Sequence, residues 1–253
     1  MQGYRAPLFG NLPPVIKNLL IINILVFAID QMLSIKFDFN LGDWLALHNF
    51  QSEHFSPIQL VTYMFMHGNV SHIFFNMLAL VMFGRVLEQV WGGKRFYVYY
   101  FVTGIGAALC QMCVLTLQTH SLMAAMSPEA VDLVMREGYN VLMEGKNYVD
   151  PNLSKLNLLL NTPTVGASGA VFGVLLAFGM MFPNVQLMLI FPPIPIRAKW
   201  FVLGYGLIEL MAVIAPQAND NVAHLAHLGG MLFGFLLIKY WNKRIDTNQN
   251  IYF

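Results

Sequence analysis

The chain has 253 residues, 57% of them hydrophobic and only 11% charged, where an ordinary soluble domain carries about 25% charged residues. Its formal net charge of +1 comes without any dense basic stripe, so nucleic acid is excluded as an expected partner. This composition is that of a membrane protein.

A hydrocarbon core about 30 Å thick takes roughly 20 mostly apolar residues of helix to cross. Six stretches approach that length: Val15 to Leu33, Tyr63 to Phe83, Phe96 to Leu117, Gly166 to Phe182, Lys199 to Ala215 and Val222 to Trp241. None alternates as barrel strands do. The expected fold class is therefore all-α, a six-transmembrane-helix bundle over residues 15–241, preceded by a segment 1–14 and followed by a tail 242–253. The first run is followed by acidic residues rather than a small-residue cleavage site, so it reads as a retained helix.

Cytoplasmic loops are enriched in Lys and Arg. With the N-terminus inside, the inner segments hold Arg5, Lys17, Arg85, Lys94, Arg95, Arg197, Lys199, Lys239, Lys243 and Arg244, ten of the fourteen cations. Both termini are thus expected to be cytoplasmic. The outer connections are unequal. Residues 34–60 mix Phe37, Trp44, Phe50 and Phe55 with polar groups, which suits the membrane interface. Residues 119–164 form a longer insertion in which Val131, Val134, Met135, Val141 and Leu142 recur at helical spacing between Pro128 and Glu144, predicting a short amphipathic helix. Cys110 and Cys113 lie within the third apolar run and read as small apolar side chains.

Ionisable and hydroxyl groups at membrane depth are costly and mark function. The six runs contain His67, His72, Asn76, Ser168, Glu209, His224 and His227. Ser168 stands in Gly166-Ala167-Ser168-Gly169, just after a turn at Asn161 to Thr164, in the first turn of the fourth helix. Free backbone N–H groups and the positive end of a helix dipole face whatever anion forms there, which is what an oxyanion hole requires. Taken alone, the motif also fits a packing face, because Gly169 and Gly173 form G-x-x-x-G.

In the sixth run, Ala223, His227, Gly230 and Gly234 share one helix face. A histidine set in a glycine stripe can approach the glycine face of the fourth helix and reach Ser168, where a neutral imidazole could take the serine proton. His224 is the rival base, but its face is rotated by about 60° from that stripe. His72 and Asn76, four residues apart, share a face and can donate to an anion. Glu209 is read as a partnered structural carboxylate, and neither a cofactor nor a metal is called for.

His67-x4-His72-x3-Asn76, the Gly-Ala-Ser-Gly of 166–169, and Ala226-His227-Leu228-Gly229-Gly230-x3-Gly234, in this order across six helices, resemble the rhomboid intramembrane serine proteases. The similarity runs from about Pro13 to Trp241, leaving the tails and the 119–164 insertion uncovered. It implies a Ser168–His227 dyad without a third acid. It further implies an oxyanion site of His72, Asn76 and the Ser168 N–H, with Phe172 packed on the imidazole. Gly166, Gly169 and Gly230 are then supporting residues. Gly84-x3-Glu88 matches a structural end of the second helix. Where some members carry a Trp-Arg pair in the first outer loop, this chain has Ile58-Gln59, so that anchor is expected to be missing.

The implied substrates are single-pass membrane proteins cut near the outer boundary of the bilayer. The fifth helix and the Gln217 to Asn221 loop are the implied gate and lid, and the compact form implies a bacterial inner membrane. Two rivals come from other classes. A catalytically silent, client-binding relative should lack the serine or the histidine, and a small transporter should show inverted repeats and broken helices.

Overall fold

In the computed structural model the residues described are 12–188, 193–215 and 222–249, with side chains as far as 243. Helix α1 (Pro14–Phe37) starts with a proline at its first position, where no N–H is needed. Short helices α2 (Gly42–Leu45) and α3 (Gln59–Thr62) shape the loop after α1, and α3 runs into a 3₁₀ turn at Tyr63–Phe65. Helices α4 (Val70–Ala79) and α5 (Arg85–Trp91) form one continuous rod, Val70–Trp91, through a π turn at Leu80–Gly84. Helix α6 (Gly93–Met123) follows. The insertion contains α7 (Pro128–Met143) and α8 (Pro151–Asn161). The remaining helices are α9 (Ser168–Met181), α10 (Ala198–Ile214) and α11 (His224–Gln249). Between α9 and α10, β1 (Gln186–Met188) and β2 (Pro195–Arg197) pair antiparallel, with Leu187 opposite Ile196.

The fold is an all-α membrane bundle. Among the described residues three helices, α1, the α4–α5 rod and α6, are long and apolar enough to cross a bilayer, and α9 is a shorter apolar helix. Large apolar side chains such as Leu25, Ile35, Phe75, Leu207, Met211 and Leu236 point outward, the pattern of a surface solvated by hydrocarbon rather than water. Helix α9 is the central element. Ala170, Val174, Leu175, Ala177 and Phe178 are buried on it, against α6 on one side and α11 on another.

Several bounds differ from the sequence reading. The second helix begins at Val70 instead of Tyr63, because the Asn69 side chain accepts from the His72 N–H at 2.8 Å and caps it there. His67 therefore lies in the loop before this helix. The expected amphipathic helix in the insertion is α7, capped by Ser127. Its partner α8, capped by Asp150, had no counterpart in the reading. Together they close a small core of their own around Val134, Leu156 and Leu160. The sixth helix continues through the tail to Gln249. The Gln217 to Asn221 loop lies outside the described residues.

The start of α1 is tied to the bundle by a buried acid. Glu88, 2% exposed, accepts from the Val15 N–H through one carboxylate oxygen (2.9 Å) and from the Ile16 N–H through the other (2.8 Å). An anion beside a helix N-terminus satisfies donors that have no partner within the helix and complements its dipole. Gly84, one turn earlier, admits Ile16 and Phe96 where a Cβ would collide.

Candidate active site

Ser168 is the first residue of α9, and the chain entering it is held on both sides. Leu47 and Thr164 exchange two backbone hydrogen bonds of 2.9 Å, and the Gly166 N–H donates to the Tyr63 carbonyl at 3.0 Å. Gly166 has a φ of +123°, a conformation that side chains disfavour. A Cβ there would also sit 2.7 Å from His72 Nε2. Glycine at this position therefore permits both the turn and the approach of His72.

The loop after α1 packs beside this entry and is anchored by a buried amide. Gln59, 1% exposed, accepts from the His48 N–H (3.2 Å) and donates to the carbonyls of Trp44 (3.3 Å) and His54 (2.8 Å). One amide thus ties three points of the loop, a different anchor from an aromatic-cation pair. His48, buried below it, is held under its ordinary pKa by that burial.

Helix α11 meets α9 through glycine on both sides. A Cβ on Gly230 would overlap the Gly169 carbonyl oxygen, and one on Gly169 would strike Ala107 of α6. Gly173 and Gly234 face α6 instead, where a Cβ would strike Thr103 or the Tyr99 hydroxyl, and Tyr99 donates that hydroxyl to the Gly173 carbonyl at 2.8 Å. This backbone proximity brings the functional side chains together. Ser168 Oγ and His227 Nε2 are 2.8 Å apart. The imidazole lies flat on Phe172, with ring centroids 4.1 Å apart and planes 8° from parallel. His224 is turned away from the serine, toward α10.

Glu209 of α10, 6% exposed, stands behind both histidines. Its Oε2 is 2.9 Å from His227 Nδ1 and 2.6 Å from His224 Nδ1. It is partnered, as read from sequence, but the partner is the same imidazole that meets Ser168. Where the resemblance implied no third acid, a carboxylate occupies that position. The two Nδ1 atoms and a carboxylate oxygen also form the cluster whose atoms lie within 4.8 Å of one another.

His72 and Asn76 sit one turn apart on α4, Asn76 buried and His72 half-buried. The Gly68 N–H points to His72 Nδ1 at 3.4 Å. That contact assigns the ring proton to Nε2, the atom beside Gly166. His67 is buried with its ring 5.0 Å from that of His72.

A family model described as the Rhomboid domain matches residues 54–244. RHOMBOID-like protein 12, mitochondrial, of Arabidopsis thaliana is 29% identical over 217 residues, 85% of this chain and 55% of that protein. Rhomboid protein 1, mitochondrial, of Saccharomyces cerevisiae is 25% identical over 200 residues, 77% of this chain and 44% of the yeast protein. Rhomboid protease AarA of Providencia stuartii is 26% identical over 175 residues, 69% of this chain and 52% of that protease. The chain thus spans about half the length of these curated relatives. With a helical membrane bundle carrying the motifs in family order and a family match over most of its length, the chain belongs to the rhomboid family.

Proposed function

We propose that the protein is an intramembrane serine endopeptidase that cuts single-pass membrane proteins near the outer end of their transmembrane helix. The observation that carries this reading is the 2.8 Å approach of Ser168 Oγ to His227 Nε2, at a helix start whose N–H groups are free of intrahelical partners. Ser168 and His227 are the catalytic residues. Ser168 Oγ attacks the scissile carbonyl while its proton passes to His227 Nε2. The resulting oxyanion accepts hydrogen bonds from the Ser168 N–H, His72 Nε2 and the Asn76 amide. Collapse of the tetrahedral intermediate breaks the C–N bond, and His227 returns the proton to the leaving amine. Water then attacks the acyl-enzyme with His227 again as base.

Phe172 keeps the imidazole from rotating out of line, while Gly166, Gly169 and Gly230 permit the close approaches described above. The catalytic unit is the membrane domain 15–241, which includes the outer loop 34–60 and the outer insertion 119–164. The cation distribution supports cytoplasmic termini, and the compact six-helix form supports a bacterial inner membrane, although curated relatives include mitochondrial proteins.

The test is reconstitution in liposomes with a single-pass substrate carrying small side chains at the outer boundary. Ser168→Ala and His227→Ala should each lose about 10⁴-fold or more in turnover. Cleavage by either variant at the wild-type rate overturns the assignment, and binding of the substrate without cleavage by the wild type identifies a client-binding relative instead.

A further inference from the structure

The buried acid behind the imidazole has a role of its own. The geometry assigns Glu209 as a positioning residue for the base, the carboxylate that fixes the tautomer and ring angle of His227 and offsets the positive charge it acquires during acyl transfer. The inference rests on the protease reading above.

The proton accounting leads there directly. For His227 to accept from Ser168, its Nε2 must be unprotonated, so the ring hydrogen of the neutral imidazole must sit on Nδ1. That Nδ1 faces Glu209 Oε2 at 2.9 Å, and an ionised carboxylate only accepts. The pair is therefore satisfied in one tautomer only, the one that presents a lone pair to the serine. When Ser168 gives up its proton, the imidazole becomes cationic and the carboxylate faces it at hydrogen-bond distance in a site shielded from water, where such attraction is strong. The Nδ1 proton does not move, and the transferred one enters and leaves at Nε2.

His224 completes the arrangement. Its Nδ1 donates to the same Oε2 at 2.6 Å. A carboxylate buried at this depth with one neutral partner would be costly to keep ionised, and a second donor lowers that cost. The groups facing His227 from the packed helices are Ser168 of α9, Glu209 of α10, His224 of α11 itself and His72 of α4. Glu209 is the one anion among them. It is also the one buried polar side chain on α10, whose other buried residues are Ala198 and Val202. Docking of α10 and orientation of the base are thus a single event.

Turnover in liposomes, resolved into kcat and KM, together with the rate of labelling by a fluorophosphonate, tests this. Glu209→Gln keeps the shape but offers an amide that can donate to Nδ1, which favours the tautomer with its hydrogen on Nε2. A fall of about 10²- to 10⁴-fold in kcat and in labelling rate is expected, with KM and the unfolding temperature unchanged. The equal-sized pair Glu209→Asp and Glu209→Asn isolates charge from packing should the Gln variant fail to fold. Asp should outpace Asn by about tenfold or more. Wild-type kcat in Glu209→Gln, or equal rates in the Asp and Asn variants, overturns the inference and leaves the protease reading standing. A wild type that neither cleaves nor labels at Ser168 removes both.

Discussion

Two glutamates are buried in this bundle, one at each end, and they are used in opposite ways. Glu88 divides its two oxygens between two backbone N–H groups at the start of α1. Glu209 gathers two imidazoles onto a single oxygen. Backbone donors neither titrate nor rotate, so Glu88 can only hold a helix end. Imidazoles do both, so the second carboxylate controls groups that can change state. Both side chains are buried, and the partner decides whether a buried acid is a clamp or a setting.

The contrast can be broken at either end. The largest effect is expected from Glu88→Ala, which strands two buried donors and should cost about 2 to 4 kcal/mol of stability. The fraction that folds should cleave at the wild-type rate per active site, as titrated with the phosphonate. Lost activity per folded site would show that the inner clamp reaches the outer site.

Gly230→Ala comes next. Its methyl overlaps the Gly169 carbonyl oxygen, so α9 and α11 must separate and the Ser168–His227 distance must lengthen. A displacement near 1 Å costs about 100-fold in rate, read as kcat in the liposome assay. An unchanged rate would mean that the serine and histidine do not depend on the seam.

Phe172→Leu removes a stacked ring worth about 1 kcal/mol of stability, and an imidazole free to leave its line should lower kcat by about fivefold. The smallest effect concerns the outer loop. His48 is held below its ordinary pKa by burial, so the unfolded chain binds its proton first as the pH falls. Stability then rises with pH through this range, and the unfolding temperature should drop slightly from pH about 7.5 to about 5. His48→Gln should remove that component.

The meeting of Ser168 and His227 was legible because both helices carry small residues at helical spacing, and such stripes record where two backbones touch. Gly169 against Gly230 is that record read out in space. The partner of Glu209 was not legible. Helix α10 exposes Leu203, Leu207, Ile208, Leu210 and Met211, and a helix apolar nearly all round gives no stripe from which to phase its one acid. The start of the second helix was misjudged for a similar reason, since Tyr63 to Met66 are as apolar as the helix itself. The informative signal was the Gly68-Asn69 pair, a breaker followed by a cap. Short helix α8 and the β1–β2 hairpin left too little periodicity to detect, and Gln59 shows that an anchor can be replaced by an amide with no sequence likeness to what it replaces.

The π turn at Leu80–Gly84 divides the Val70–Trp91 rod into two phases. A π turn accommodates one residue more than an α-helix of the same rise, so the portions before and after it are offset by about 100°. His72 can therefore face Gly166 at the entry to α9 while Glu88 faces the start of α1, a pairing that an uninterrupted α-helix would present at another angle. The rod acts as a coupling sleeve between two fixed bearings, and shortening it by one residue within the turn should leave its length almost unchanged while forcing one bearing out of mesh.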